Sequence, residues 1–299
     1  MSIPSAKVQH PAIAKHDPAM SIMPICRSGY RHKPIPGLDV KQTYAGATLR
    51  VMGSYFITPS QLLVLLVLLQ MAEKCGALVS PAVPLLRDES SAAGLLEKTD
   101  ACAQPVTIGP LIATGLAEKK AQVLIETTYT SFAREVYGYD PGDSQLSEIK
   151  EALTCLGAIT VFVKAEDREA QSPMLCRESK GDGLRIWMNW KLAQAISGGH
   201  HTRINIDDFR TLTTDAAKIL FPQLSSLIRP GKEAVYGYDT LAERLWGAAE
   251  KDTKSATLRK RHERVRNALR EIGQLQGWQI DIGKSGARVR RGASGGGTA

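Results

Sequence analysis

The sequence predicts an α+β, helix-rich fold with two tandem winged-helix domains, which are helix-turn-helix variants carrying small β-wings. Three observations predict it: a degenerate internal repeat, an amphipathic helix after each copy, and strand-like alternation after each of those helices. The 299 residues are enough for two domains. The predicted parts are an extended or disordered arm (1–35), an N-terminal winged-helix domain (36–197) with an irregular insertion (about 76–120), a C-terminal winged-helix domain (198–291) and a flexible Gly-rich tail (292–299).

The arm and the insertion are predicted from composition. Residues 1–35 contain five prolines and no sustained periodicity, which predicts a segment without a fold of its own. Residues 76–120 are rich in Ala, Gly, Pro and Ser and have weak periodicity. We therefore expect them to be irregular.

A hairpin and a buried helix should open the N-terminal domain. Leu38–Tyr44 and Ala47–Met52 flank a two-residue turn and read as paired strands. Thr58 can then cap a helix, and Gln61 stands three residues later, where it completes a capping box. Because Leu62–Leu69 is apolar on every side, this helix should be buried all round.

The internal repeat aligns Tyr129–Gly138 with Tyr238–Gly247, with identical Tyr, Ala and Gly at equivalent positions. Each copy predicts a short helix that ends at its glycine. Thr240 and Glu243 predict a capping box in the second copy. A longer amphipathic helix should follow each short one, and then two strands paired as a ribbon. The longer helices are predicted at 144–156 and 255 to about 275, and the strand pairs at 159–163 with 184–190 and at 278–282 with 287–289.

All of the excess positive charge lies in one segment. Residues 251–291 contain twelve Lys and Arg against four acids, whereas the rest of the chain holds 26 of each sign. A basic surface confined to one folded region is typical of a protein that binds the phosphate backbone of nucleic acid. The charge alone is also compatible with a solvated helix face that improves solubility.

A helical wheel of residues 255–275 separates an apolar stripe from a basic face, which suits the major groove of DNA. Arg and Lys there can pair with guanine, and Asn267 with adenine. Ser255 and Thr257 lie in the first turn, where they suit phosphate. Arg288 and Arg290, on the second strand of the predicted C-terminal ribbon, should face the DNA backbone that flanks the groove. The candidate DNA-binding residues are Lys254, Ser255, Thr257, Arg259, Lys260, Arg264, Arg266, Asn267, Arg270, Lys284, Arg288, Arg290 and Arg291.

Two other interpretations concern the long helices. A cation-rich amphipathic helix is also typical of membrane-surface and calmodulin-type segments, but these leave the preceding short helix and the following basic ribbon unexplained. The long helix of the first copy carries Glu148, Lys150 and Glu151, so its outer face is slightly acidic. We predict that it contacts another protein or pairs subunits in a homodimer rather than entering a groove.

Several kinds of chemistry are not predicted. The sequence has no Gly-x-x-x-x-Gly-Lys-Ser/Thr phosphate loop, and His200 and His201 are adjacent instead of separated by one residue as in rolling-circle initiators. We therefore predict a polar strand entry at the two histidines, no enzyme activity, no cofactor and no metal. The five cysteines are far apart and the longest apolar run has eight residues, whereas a membrane span needs about 20. These features predict a cytoplasmic protein without a membrane partner.

The chain resembles the RepC family, the iteron-binding replication initiators of IncQ-type plasmids. The resemblance extends over about 90 residues, Asn189 to Trp278, and a weaker similarity runs along nearly the full length. Residues 76–120 have no clear counterpart, and Pro222 should kink or split a helix at 214–228. The strings that carry the resemblance are 198–204 (Gly-Gly-His-His-Thr-Arg-Ile), 216–220 (Ala-Ala-Lys-Ile-Leu), 230–232 (Pro-Gly-Lys), 239–241 (Asp-Thr-Leu), 257–261 (Thr-Leu-Arg-Lys-Arg) and 265–269 (Val-Arg-Asn-Ala-Leu).

The resemblance implies a bacterial, plasmid-encoded initiator with two tandem winged-helix domains. It implies binding to iterons in double-stranded origin DNA, opening of an adjacent A·T-rich region, and recruitment of the plasmid helicase and primase. Arg259, Lys260, Arg264 and Arg266 inherit the DNA-contact role from it. The alternative is a winged-helix transcriptional regulator that binds operator DNA without melting it.

Overall fold

The computed structural model describes residues 12–27, 35–44, 47–79, 106–107, 122–165, 168–197, 201–248 and 254–293. In these ranges the chain is a mixed α and β structure. The predictions for residues 1–11 and 28–34 of the arm, for most of the insertion at 76–120 and for 294–299 of the tail lie outside the described residues. The elements are β1 (Ile13–His16), α1 (Pro18–Ile22), β2 (Pro36–Tyr44), β3 (Ala47–Tyr55), α2 (Pro59–Cys75), β4 (Ala77–Val79), β5 (Val106–Thr107), β6 (Gln122–Thr128), α3 (Tyr129–Tyr137), α4 (Asp143–Gly157), β7 (Thr160–Ala165), β8 (Arg168–Pro173), β9 (Leu175–Lys180), β10 (Gly183–Met188), α5 (Trp190–Ser197), β11 (Thr202–Asn205), α6 (Ile206–Thr211), α7 (Asp215–Leu227), β12 (Glu233–Gly237), α8 (Tyr238–Trp246), α9 (Ser255–Ile272), β13 (Trp278–Ile282) and β14 (Gly286–Arg291).

The N-terminal segment, residues 12–27, is folded, so the expectation that the arm has no fold is wrong there. Strand β1 pairs antiparallel with β11, and Ala14, Met20 and Met23 are buried. The prolines are compatible with this order because Pro18 occupies the start of α1, where a missing N–H is tolerated. Asp17 caps the same helix by accepting a hydrogen bond from the Met20 N–H at 3.0 Å.

Helix α2 lies at the centre of the molecule, as its apolar sequence predicts. Thr58 and Gln61 form the predicted capping box, with N···O distances of 3.0 and 3.3 Å. Every residue of Leu62–Leu69 is buried except Leu63, which is partly buried. The helix packs against β1, β6 and the helices α3 to α7, and so ties the two halves together.

A four-stranded antiparallel sheet has the strand order β2-β3-β7-β8. The predicted hairpin is confirmed, since Tyr44 stands opposite Ala47 across a two-residue connection. A five-stranded sheet has the order β5-β4-β6-β10-β9.

One predicted strand pairing is wrong. The ribbon expected between 159–163 and 184–190 does not form, because β7 pairs with β3 and β8 whereas β10 pairs with β6 and β9. Alternating apolar residues determine which side of a strand faces the core, but they do not determine its partner. The intervening polar strands β8 and β9, which the pattern missed, each form a hairpin with their neighbour and so separate β7 from β10.

The C-terminal half has a three-stranded sheet in the order β12-β14-β13. The predicted ribbon of β13 with β14 is confirmed, and β12 is an additional strand on the other side of β14. Close approach requires a glycine here, because a Cβ on Gly286 would lie 2.4 Å from the carbonyl oxygen of Tyr236.

Two local predictions in this half are corrected. Helix α8 begins directly after β12, with Gly237 at its N-cap, so Thr240 lies inside the first turn and the predicted capping box with Glu243 does not form. Helix α7 runs without a break from Asp215 to Leu227 with Pro222 inside it, so of the kink or split expected at Pro222, the split does not occur. Pro222 is buried in α7 among apolar neighbours that hold the helix in place.

Candidate nucleic-acid interface

Helix α9 is attached to the C-terminal half by its apolar stripe. Val265, Ala268, Leu269 and Ile272 are fully buried, and the helix packs against α7, α8 and β13. This stripe repeats at intervals of three and four residues, so the opposite side of the helix faces solvent. The apolar side of the predicted wheel is therefore the buried side.

The polar side of α9 is accessible and strongly basic. Arg266 is partly buried, whereas the other candidate residues of this helix and its N-cap are exposed. These exposed residues are Lys254, Ser255, Thr257, Arg259, Lys260, Arg264, Asn267 and Arg270. The structure thus brings nine candidate residues together on or beside one helix.

Tyr238, at the start of α8, connects the basic face with the turn between β13 and β14. The guanidinium carbon of Arg266 lies 4.9 Å from the centre of the Tyr238 ring, in cation–π geometry. The Tyr238 hydroxyl donates a hydrogen bond of 2.7 Å to the carbonyl oxygen of Gly283. A single buried side chain therefore positions both the Arg266 guanidinium and the turn that carries Lys284.

The same arrangement recurs in the first copy of the repeat. The Lys150 ammonium lies 5.2 Å from the centre of the Tyr129 ring, as Arg266 lies over Tyr238. Alignment of the inward residues of α4 and α9 places Lys150 and Arg266 at equivalent positions. The internal repeat therefore extends to a cation packed on the shared tyrosine.

His262 and Asp239 form a second link between α9 and α8. The His262 Nε2 atom lies 2.7 Å from Oδ1 of Asp239, whose side chain is 87% exposed. The His262 ring also packs beside Tyr238, with 5.9 Å between ring centres. Sequence reasoning missed Tyr238, Asp239 and His262; the identity of the tyrosine in both repeat copies was the available signal.

An open depression of about 430 Å³ follows the basic face of α9. Its lining residues span about three turns of α9. On its rim, Nη1 of Arg270 donates a 2.7 Å hydrogen bond to the amide oxygen of Asn267. The lining residues are Arg259, His262, Glu263, Arg266, Asn267 and Arg270.

The candidate residues of the ribbon fall into two groups. Lys284 is exposed in the turn, and Arg288 and Arg290 are exposed on one face of β14. Across the sheet, Arg288 stands opposite Asp281 on one side and Val235, which is 70% exposed, on the other.

Arg291 differs from these because its guanidinium is used inside the protein. It donates hydrogen bonds to the carbonyl oxygens of Ser225 and Arg203 at 2.6 and 3.0 Å, and its carbon lies 5.7 Å from the Trp278 ring centre. Burial lowers the pKa of Arg291 from its ordinary value. The structure therefore places Arg291 where it joins β14, α7 and β11, apart from the exposed arginines.

Metal binding and membrane spanning were the other kinds of chemistry that the sequence did not predict. Among these residues, no group of three or more His, Cys, Asp and Glu side chains is arranged to hold a metal ion. None of the helices found there is both long and apolar enough to cross a bilayer. His201 directly precedes β11, as predicted for a strand entry, and His200 lies outside the described residues.

Comparisons with known proteins give one family, and the similar solved structures include two of RctB. A sequence model of the family described as Replication protein C (RepC) matches residues 8–287. No curated protein matches the chain. A crystal structure of selenomethionine derivatives of domains 2 and 3 of RctB is 9% identical, with a TM-score of 0.48 over 91% of this chain and 97% of that chain. A second crystal structure of RctB domains 2–3 is 10% identical, with a TM-score of 0.46 over 92% of this chain and 97% of that chain.

Proposed function

The chain belongs to the replication protein C (RepC) family, and from this premise we propose that it is a plasmid replication initiator that binds iterons through α9. The observation that carries the proposal is the basic face of α9, which is fixed to the protein by one apolar stripe and exposed along its length. An α-helix fits the major groove of B-DNA, which is about 12 Å wide. The exposed cations can then neutralise phosphates and reach base edges.

We propose a helix-turn-helix arrangement for both parts of the chain, residues 36–197 and 198–291, with a ribbon that serves as a wing in the C-terminal part. In the C-terminal part, α8 and α9 are the helix-turn-helix pair, and the β13–β14 ribbon is the wing. Lys284, Arg288 and Arg290 would contact the backbone that flanks the groove, since they are exposed on the turn and on one face of β14. In the N-terminal part, α3 and α4 are the equivalent pair.

Opening of the duplex and the assembly of partners belong to the same proposal. Several bound copies would bend or untwist the origin, and an adjacent A·T-rich region would open because distortion of deformable steps costs only a few kcal/mol. The plasmid helicase and primase would then bind the complex. The slightly acidic outer face of α4 serves homodimer pairing or another protein contact, in a cytoplasmic, non-enzymatic initiator.

Permanganate footprinting on a supercoiled plasmid that carries the origin tests this function. We expect thymines of the A·T-rich region to become reactive when the purified chain is added, because they lose their base pairing. A variant with Arg259 and Arg266 both changed to alanine is the matched control and should give no reactive thymines. Iteron protection without reactive thymines would favour the transcriptional regulator, and strand cleavage would show an enzyme.

A further inference from the structure

Glu263 is an acidic residue in the middle of the basic face of α9. It lies one turn from Arg259 on one side and from Arg266 and Asn267 on the other, and lines the same depression. Its side chain is exposed, and among the described residues its carboxylate forms no hydrogen bond or ion pair. Within the described residues, no arginine or lysine therefore neutralises the Glu263 carboxylate through an ion pair.

The other acids close to this face have structural partners. Glu271, on the same helix, accepts hydrogen bonds from Thr213 and Thr214 at the start of α7. Asp239 is paired with His262 at 2.7 Å. Within the described residues, the Glu263 carboxylate therefore remains available to a ligand on this face.

An unpaired carboxylate is unfavourable on a surface that binds only phosphate, because like charges repel. It is favourable in the major groove opposite an amino group, since a carboxylate only accepts hydrogen bonds. Cytosine presents its N4 amino group there, whereas guanine and thymine present oxygen acceptors. Adenine also presents an amino group, but its N7 acceptor lies beside that group and repels a carboxylate. A carboxylate therefore favours cytosine over adenine and rejects guanine and thymine at the same position.

We propose that Glu263 is a specificity-determining residue that accepts a hydrogen bond from the N4 amino group of one cytosine in each binding site. This rests on the proposed binding of duplex DNA by α9. Arg259 and Arg266, one turn away on either side, are placed to read neighbouring base pairs through guanine. Glu263 also lowers affinity for DNA of unrelated sequence, since it faces phosphates whenever no cytosine is in register.

Selection from a pool of duplexes with randomised positions tests the proposal. The purified full-length chain, Glu263→Ala and Glu263→Gln are compared, and bound sequences are determined. We expect Glu263→Ala to lose the cytosine preference at one position, by about fivefold or more. Glu263→Gln should shift that position towards adenine, because a glutamine amide pairs with adenine N6 and N7. Both variants should bind unrelated duplex more tightly than the parent.

Glu169→Gln is the matched control, because Glu169 is an exposed acid on β8, in the four-stranded sheet of the N-terminal part. It removes the same charge and should leave the selected sequences unchanged. The proposal is overturned if the Glu263 variants select the same sequences as the parent and differ only in overall affinity. If the parent itself selects no sequence, the proposed iteron binding fails as well, and the two failures are therefore distinguishable.

Discussion

At the scale of single residues, the basic face of α9 combines free and positioned cations. Arg259 is exposed, whereas Arg266 is partly buried and packed on the Tyr238 ring. A positioned guanidinium loses less side-chain freedom on binding than a free one. Both residues nevertheless face the same depression, so either can reach a base edge.

Alanine substitutions test these two arginines. Arg259→Ala and Arg266→Ala should each weaken binding to iteron duplex by about 1–3 kcal/mol, because each removes two hydrogen bonds to a base. Gel-shift titrations with iteron and scrambled duplexes measure the effect. Arg185→Ala is a suitable control, since Arg185 is exposed on β10 and paired with Glu126. Equal iteron affinity in the parent and both variants would contradict the assignment of α9.

Substitution of two arginines of β14, Arg288 and Arg291, should have different effects on DNA binding and on stability. Arg288→Ala removes an exposed cation, so it should weaken binding to all sequences and lower the log–log salt slope by about 0.9. Arg291→Ala leaves carbonyl oxygens of Ser225 and Arg203 without their donor and should lower the free energy of unfolding by about 1–3 kcal/mol. Salt titrations of DNA binding and urea unfolding separate the two effects. A lower stability in Arg288→Ala and an unchanged one in Arg291→Ala would contradict this division.

At the scale of secondary-structure elements, Glu271 of α9 caps α7. Its carboxylate accepts hydrogen bonds from the Thr213 and Thr214 hydroxyls at 2.8 and 2.5 Å, and from the backbone N–H groups of both residues. Partial burial opposes ionisation, but these hydrogen bonds prevail and hold the pKa of Glu271 below its ordinary value. A charged group near the N-terminus of α7 also interacts favourably with the helix dipole.

Glu271→Gln should therefore lower stability in a pH-dependent way. At neutral pH we expect a loss of about 0.5–2 kcal/mol, the usual effect of losing a helix cap. A carboxylate with a lowered pKa stabilises the fold above its ordinary value of 4.5 and loses that effect as the pH falls towards its folded value. Urea unfolding at a series of pH values measures this, with Glu263→Gln as control. The prediction would be contradicted if the difference in the free energy of unfolding between parent and variant did not shrink as the pH falls below 4.5.

The sequence predicted the elements that depend on local signals. The capping box of Thr58 and Gln61, the glycine at the end of α3 and the apolar stripe of α9 are each determined within a few residues of the chain. Contacts between distant residues were not predictable in this way. The pairing of β7 with β3 depends on surfaces that come together only after folding, and so does the hydrogen bond from Arg291 to the Arg203 carbonyl oxygen on β11. No spacing along the chain encodes these contacts.

At the scale of the whole molecule, the N-terminal segment connects elements that are far apart in sequence. Lys15 pairs with Glu73 of α2 at 2.7 Å, and Asp17 with Lys191 of α5 at 3.0 Å. The Arg244 side chain of α8 donates to the carbonyl oxygen of Ile22 at 3.3 Å. The segment therefore contributes to a shared core.

Met20→Ala should destabilise the whole molecule, because Met20 is 1% exposed and its loss leaves a cavity against α7. The expected decrease in the free energy of unfolding is about 2–5 kcal/mol. Thermal unfolding followed by circular dichroism measures it, with the exposed position Ser60 changed to alanine as control. An unchanged melting temperature would show that residues 12–27 do not support the fold.

The pairing of β1 with β11 has a consequence for synthesis. The Ala12 N–H donates to the carboxylate of Asp207, 195 positions later. At roughly 5–20 residues per second, a ribosome makes Asp207 about 10–40 s after Ala12. Throughout that interval β1 has no β-strand to pair with, and unpaired edges favour aggregation. A nascent chain halted before β11 therefore carries an open edge, a target for chaperones and proteases, and only translation past that strand closes it.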